Sequence, residues 1–239
     1  MIISASKKFI FIHTMKTAGD SIGVALQPYL GQSDFILQND FQGWWRRTTG
    51  KNASTYQTLH KHSTATEVRS LMSADLWESY YKFAFVRHPV DRAVSLYTYI
   101  AGKAQQRKRM RPLNAWYLTP QGKKDDPVNW PAMRAFVATD SFSSFLRYPG
   151  LSNERGMRPQ SDFLCDPDGK IIVDFVGRFE NLDVDMAKVQ DTLGLPNKSL
   201  TRSNTSKENH YGTPKPSADD LDYLSNLFRE DFERFGYRI

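Results

Sequence analysis

Phe9-Ile10-Phe11-Ile12 forms a short β-rich apolar run within residues 8–13, and beyond residues 14–19 the apolar positions fall at Ile22, Ala25, Leu26 and Tyr29, one helical face. The pattern predicts strand, tight loop, helix. Thr64 with Glu67 has the spacing of a capping box, and Val68, Leu71 and Met72 follow, so a helix is expected to begin just after His62 and to leave His62 at its entrance. Residues 82–87 read as a buried strand, and Pro89, Val90, Val94, Tyr97 and Ala101 as a helix with proline in its first turn. Residues 170–179 supply a further strand after the Asp168-Gly169 turn, and residues 184–193 a helix stopped by Gly194 and Pro196. Ser217 with Asp220 opens a last helix striped by Leu221, Leu224, Phe228, Phe232 and Phe235. Residues 102–131 and 149–169, rich in Pro, Gly and charge, read as loops or insertions. Strands alternating with helices predict an α/β fold, a mostly parallel sheet covered on both faces with ligands at the carboxyl ends of its strands.

The 239 residues, 40% of them hydrophobic, suit one sizeable core, so a single domain over 1–239 is expected, elaborated near 31–55 and 102–160. A net charge of +6 favours an anionic ligand without naming it. The one cysteine, Cys165, excludes an internal disulfide framework and reads as a small core residue. Lys7 and Lys8 precede an apolar stretch far shorter than a secretory leader or a membrane span, so a cytoplasmic location without a membrane span is expected, and the sequons at Asn52, Asn197 and Asn204 read as chance.

Two loops carry candidate chemistry. His13-Thr14-Met15-Lys16-Thr17-Ala18-Gly19-Asp20-Ser21 joins a strand to a helix N-terminus, where backbone N–H groups and the helix dipole favour an anion, Gly19 permits close approach and Lys16 adds a charge. It does not spell the nucleotide-triphosphatase loop, which needs two glycines five apart before Lys-Ser/Thr. In the second, Arg87 at a strand end can fork onto a phosphate, and Ser95 lies two turns into the following helix. The plainer alternatives are a bare turn with an exposed lysine, and an Arg92–Asp91 surface pair beside a serine that packs.

Taken together, residues 11–21 and the Val86-Arg87-His88-Pro89 segment through Ser95 resemble the sulfotransferases that use 3′-phosphoadenosine 5′-phosphosulfate (PAPS), in the branch of the heparan 2-O-sulfotransferases and bacterial carbohydrate sulfotransferases. The likeness extends to His60-Lys61-His62, to Gly177-Arg178-Phe179-Glu180-Asn181-Leu182 and to Phe235-Gly236-Tyr237. Residues 31–55 and 102–160 fall outside it. The resemblance implies a P-loop-like three-layer fold, a central mostly parallel sheet flanked by helices, and transfer of a sulfuryl group to a hydroxyl, that of a carbohydrate, leaving adenosine 3′,5′-bisphosphate (PAP). It implies Lys16, Thr17, Ala18, Gly19, Asp20 and Ser21 on the 5′-phosphosulfate, Arg87 and Ser95 on the 3′-phosphate, and Lys215, between Pro214 and Pro216, on a donor-covering segment. Two residues depart from it: Asp20 stands where the family usually has threonine and Met15 where it often has proline.

Sulfuryl transfer needs a base for the acceptor hydroxyl, a cation on the leaving phosphate and in-line alignment. The resemblance implies His62 as that base, whose unperturbed pKa of about 6.5 suits the task, with Lys16 on the leaving group. His13 reads as structural at the strand end, with substrate contact as the lesser alternative, and no metal is expected. The acid-free basic run of Lys103, Arg107, Lys108, Arg109 and Arg111 before Pro112 is a solvated helix end or a grip for an anionic acceptor, and Trp44-Trp45-Arg46-Arg47 could clamp a sugar or lie in the core. Rival classes are a nucleotide-dependent kinase, for which the glycine-lysine signature and magnesium ligands are missing from the pattern, and a non-catalytic anion- or nucleic-acid-binding protein, for which no recognition motif is visible. Nucleic acid is therefore not the expected partner.

Overall fold

The computed structural model describes residues 1–37, 55–110, 129–200 and 212–239. The chain packs as two compact units, Met1–His88 with Pro159–Thr205, and Pro89–Arg158 with Ser206–Ile239.

The first unit is built on a five-stranded sheet of β1 (Ile2–Ser4), β2 (Phe9–Ile12), β3 (Phe35–Ile36), β4 (Tyr81–Val86) and β5 (Phe175–Arg178), in the order β3-β1-β2-β4-β5. β2, β4 and β5 run parallel, with Phe11 opposite Phe83 and Val86 opposite Arg178. Burial on both faces explains why β2 and the Phe83–Val86 part of β4 read as continuous apolar runs. Phe9, Phe11, Phe83 and Phe85 share a core with Ile22 and Leu26 of α1 (Gly19–Leu26) and with Met186 and Val189 of a later helix, while Ile10, Ile12, Ala84 and Val86, pointing the other way, are equally buried. The α/β class thus holds, and the sheet is parallel at its centre. Its edge departs from the expectation: β1 pairs antiparallel with both β2 and β3. Strands of three and two residues are too short to show a period.

Thr64 closes the expected capping box with Glu67, but α2 (Ala65–Arg69) ends before Leu71 and Met72, and Ser73 caps a separate α3 (Ala74–Ser79). The strand expected over 170–179 is confined to β5, because residues 166–170 form a turn and Ile171 makes only an isolated bridge to Cys165, which is half-buried and not a core residue.

In the second unit α4 (Pro89–Met110) runs 22 residues, well past Ala101, so residues 102–110 are helix where a loop was expected. Ala104, Gln105, Gln106 and the basic residues are good helix formers, and Gly102 is merely tolerated. Between 131 and 146 lie α5 (Pro131–Ala138) and α6 (Phe142–Leu146). Residues 149–169 keep their irregular character, apart from single turns at Leu151–Asn153 and Arg155–Met157 in this unit and α7 (Ser161–Leu164) in the first. The first unit closes with α8 (Leu182–Thr192), ended by Gly194 at φ 62°. The C-terminal stripe belongs to two helices, α9 (Ala218–Leu227) and α10 (Arg229–Phe235), broken at Phe228. Leu224 and Phe228 pack with Ala93, Leu96, Ile100 and Phe145.

Arg92 overturns the surface pair with Asp91. It is fully buried, donates 2.6 Å to the carbonyl of Arg158, lies 3.8 Å from the equally buried Asp231 and rests over the Phe228 ring at 4.9 Å, whereas Asp91 is exposed. No described helix is long and apolar enough to cross a membrane.

Candidate functional site

The loop between β2 and α1 is held in an uncommon backbone conformation. Lys16 and Ala18 both have positive φ, 67° and 63°. Left-handed geometry at non-glycine residues is unfavourable and persists only where the surroundings enforce it. Here the Thr14 hydroxyl donates to the Phe85 carbonyl of β4, and the Thr17 hydroxyl donates to the Thr14 carbonyl at 3.0 Å. The two hydroxyl oxygens also lie 2.9 Å apart, so two protons serve three acceptor sites and both side chains are pinned below the loop. Ala18 stands at the N-cap of α1 with no side chain able to accept a hydrogen bond. The first N–H groups of the helix, which by geometry lack intrahelical acceptors, therefore get no cap from it.

Gly19 is required by contact. A Cβ there would fall 2.0 Å from the His13 imidazole, which lies on the glycine backbone. His13 stacks on Phe11 at 5.7 Å and is fully enclosed, with its Nδ1 buried and lacking a hydrogen-bond partner. Burial first, then the nearby charges, among them His62, Lys61 and Lys16, hold its pKa well below 6.5, so His13 is neutral.

His62 meets His13 edge-on, ring centroids 4.6 Å apart, and its Nδ1 lies 2.9 Å from the His13 carbonyl oxygen. A carbonyl can only accept, so Nδ1 carries the proton and the neutral ring presents the lone pair of Nε2. Burial lowers the His62 pKa to about 4 against the partial support of that hydrogen bond, with Lys61 lowering it and Asp20 raising it. His60 takes the opposite tautomer: its Nδ1 accepts the backbone N–H of His62 at 3.2 Å, leaving its proton on Nε2. Of the two histidines, His62 is the one whose Nε2 keeps its lone pair. Beside them Lys61 pairs with Asp20 at 2.6 Å.

Arg87, at the carboxyl end of β4, is fixed from two sides. The fully buried Gln160 pairs with its backbone, accepting the Arg87 N–H at 2.9 Å and donating to its carbonyl at 2.8 Å. Its guanidinium lies 4.1 Å over the Phe179 ring. The segment after β5 gains a physical reading from this: Gly177 has no room for a Cβ, which would fall 2.5 Å from the Phe85 ring, Phe179 carries Arg87, and Glu180 accepts the His88 N–H at 2.7 Å.

A strained loop carrying a lysine at a helix N-terminus, a neutral histidine against it and an arginine fixed at the next strand end are thus built into one unit. The Sulfotransferase family model matches residues 1–238. This chain belongs to the sulfotransferase family. An uncharacterized protein of Archaeoglobus fulgidus is 27% identical to it over 144 residues, 60% of this chain and 92% of that protein. No solved structure matches the chain.

Not every expected residue of this sulfotransferase lies in the first unit. Ser95 is half-buried on α4 and Lys215 is exposed ahead of α9, both in the second unit. Trp44, Trp45, Arg46, Arg47, Arg111, Pro112 and the sequons at Asn52 and Asn204 lie outside the described residues. Lys103 sits half-buried on α4, 5.5 Å over the Tyr99 ring, which stacks on Trp130 at 6.4 Å. Sequence reasoning missed Gln160 and the pairing of Asp20 with Lys61, since neither leaves a local pattern. Among the described residues, no three His, Cys, Asp or Glu side chains gather as metal ligands could.

Proposed function

We propose that this protein transfers a sulfuryl group from PAPS to a hydroxyl of a carbohydrate acceptor. The observation that carries this reading is the hydrogen bond from His62 Nδ1 to the His13 carbonyl, which leaves the Nε2 lone pair of a neutral ring to take a proton, next to the residue that begins the Lys16 loop. His62 takes the proton of the acceptor hydroxyl as its oxygen attacks sulfur. Lys16 stabilises the charge that collects on the 5′-phosphate as the bond from sulfur to the bridging oxygen breaks and its electron pair leaves with PAP. The amides from Thr17 to Ser21, at the N-terminus of α1, hold that phosphate, where backbone donors and the helix dipole suit an anion. Arg87, its backbone clamped by Gln160 and its guanidinium backed by Phe179, selects the 3′-phosphate with a planar fork. Fixed donors of this kind reduce the barrier by alignment and charge stabilisation, and the chemistry calls for no metal. The carbohydrate acceptor follows from the sequence resemblance.

Calorimetric titration with PAP, adenosine 5′-phosphate and ATP, on wild type and Arg87→Ala, tests the reading. Micromolar binding that needs the 3′-phosphate and collapses in the variant supports it. No binding, or preference for ATP, sinks it and promotes a kinase. Ser95→Ala and Lys215→Ala in the same titration test the two residues of the second unit.

A further inference from the structure

Asp20 is the residue that the family pattern does not explain. A carboxylate in the first turn of α1 suits the helix dipole but lies beside a loop read as an anion site, where it would oppose the ligand. The structure gives it another occupation. Its Oδ1 lies 2.6 Å from Lys61 Nζ, with the lysine side chain 17% exposed and the carboxylate 37%. Lys61 precedes His62, His62 is bonded to the His13 carbonyl, the His13 ring lies on the backbone of Gly19, and Gly19 precedes Asp20. The contacts close into a ring: Asp20 to Lys61, along the chain to His62, across to His13, down onto Gly19 and back to Asp20.

We propose that the Asp20–Lys61 ion pair is a positioning device for His62, tying the turn that carries the histidine to the first turn of α1 and neutralising the lysine next to it. The inference rests on the reading of His62 as the base. Without the pair, the turn that carries the imidazole loses its tie to α1, and the Lys61 cation stands without that counter-charge beside a ring that must accept a proton. Among the described residues, the charged and titratable groups facing His62 are Asp20 from α1, His13 at the end of β2, His60 and Lys61 from its own turn, and the amino group of Met1, 3.4 Å from the Lys61 carbonyl; Lys16 acts on the adjoining His13. Asp20 is the one anion among them. Threonine at this position could not supply that charge.

The test is ¹⁵N NMR of the His62 imidazole in the full chain, titrated in wild type, Asp20→Asn, Lys61→Met and the exchanged pair D20K/K61D, with PAP calorimetry on each. Asp20→Asn is expected to lower the His62 pKa further and to weaken the Nδ1–H tautomer, Lys61→Met to raise the pKa, and the exchanged pair to recover the wild-type tautomer. Asp20→Asn is also expected to bind PAP at least as tightly as wild type. An unchanged His62 pKa and tautomer in both single variants would overturn the proposal. So would a tenfold loss of PAP affinity in Asp20→Asn with the His62 signals intact, since Asp20 would then serve the donor directly. If wild type itself fails to bind PAP, the donor reading falls, while the NMR comparison still decides the role of the pair.

Discussion

His62 donates its Nδ1–H to the carbonyl of His13 across 2.9 Å, and that one bond assigns the two nitrogens of the ring different work. Nδ1 is committed to the backbone at the end of β2, and Nε2 keeps its lone pair. Replacing His62 with alanine or asparagine is expected to reduce turnover by about 10²- to 10⁴-fold while leaving the fold intact, as loss of a general base does. Turnover and a thermal melt on the same samples check both halves.

The pH dependence follows from the same ring. Burial holds the His62 pKa at about 4 against an ordinary value of 6.5, so its base form persists through neutral pH. The profile of kcat/KM should be flat from pH 8 down to about pH 5 and fall only as His62 protonates near pH 4. The unfolded chain takes up this proton at higher pH than the folded one, so the contribution to stability is present above pH 6.5 and is lost as pH falls through about 4. An acid limb at 6.5 in the rate profile would mean that the active form does not bury the ring.

Gly19 touches the His13 ring with no room for a Cβ, which would lie 2.0 Å from it. Both partners are fixed, the ring by burial and the glycine by the start of α1. Gly19→Ala is therefore expected to cost about 1–3 kcal/mol, as overpacking does, and to weaken PAP binding by displacing the loop. The cost should shrink in a His13→Ala background, and a double-mutant cycle of unfolding free energies measures the difference.

Gln160 satisfies both backbone groups of Arg87, so its substitution acts on the arginine from behind. Gln160→Leu removes both hydrogen bonds to the part-buried Arg87 backbone and is expected to destabilise the protein by about 1–3 kcal/mol. It should also weaken PAP binding. Arg87→Ala should weaken PAP binding with little change in melting temperature, because its backbone remains clamped. Phe179→Leu removes the ring beneath the guanidinium and should fall between them. Melting curves and calorimetry on the three variants give the ordering.

How far these features were legible in the sequence depends on the reach of each interaction. β2 and the Phe83–Val86 part of β4 announced themselves because burial on both faces makes those stretches apolar, and the boxes at Thr64 and Ser217 because a cap is decided within four residues. The loop at Lys16 was visible as strand, loop and helix in order, although its left-handed residues were not, since neither Lys16 nor Ala18 is a type that favours positive φ. Gln160 and Arg87 lie 73 positions apart, and an amide pairing with backbone leaves no mark on the sequence around it. The burial of Arg92 left no mark either, because a buried arginine one helical position from an exposed aspartate has the same local pattern as the surface pair weighed as an alternative.

That buried arginine makes a prediction of its own. Arg92 and Asp231 are both fully enclosed, so neither charge has water to fall back on. Asp231→Ala removes a buried counter-charge from the guanidinium and is expected to cost about 3–5 kcal/mol. Replacing both together, R92M/D231L, removes two desolvation penalties along with one attraction and should cost much less. Chemical denaturation of the three proteins tests this; equal losses in the single and double variants would mean that packing, and not charge, governs the site.

Asp220 supplies the counterpart on the acid side. Burial opposes its ionisation, yet hydrogen bonds from Ser143, Arg147 and Ser217 outweigh burial and bring its pKa down to about 2 from the ordinary 3.8. The folded form therefore releases this proton more readily than the unfolded chain. The resulting stabilisation is fully present above pH 3.8 and is lost as pH falls toward 2. Asp220→Asn should lower stability at pH 7 and flatten its dependence between pH 4 and about 2. The slope of unfolding free energy against pH in that window decides the point, since a variant as steep as wild type would assign the acid sensitivity to another carboxylate.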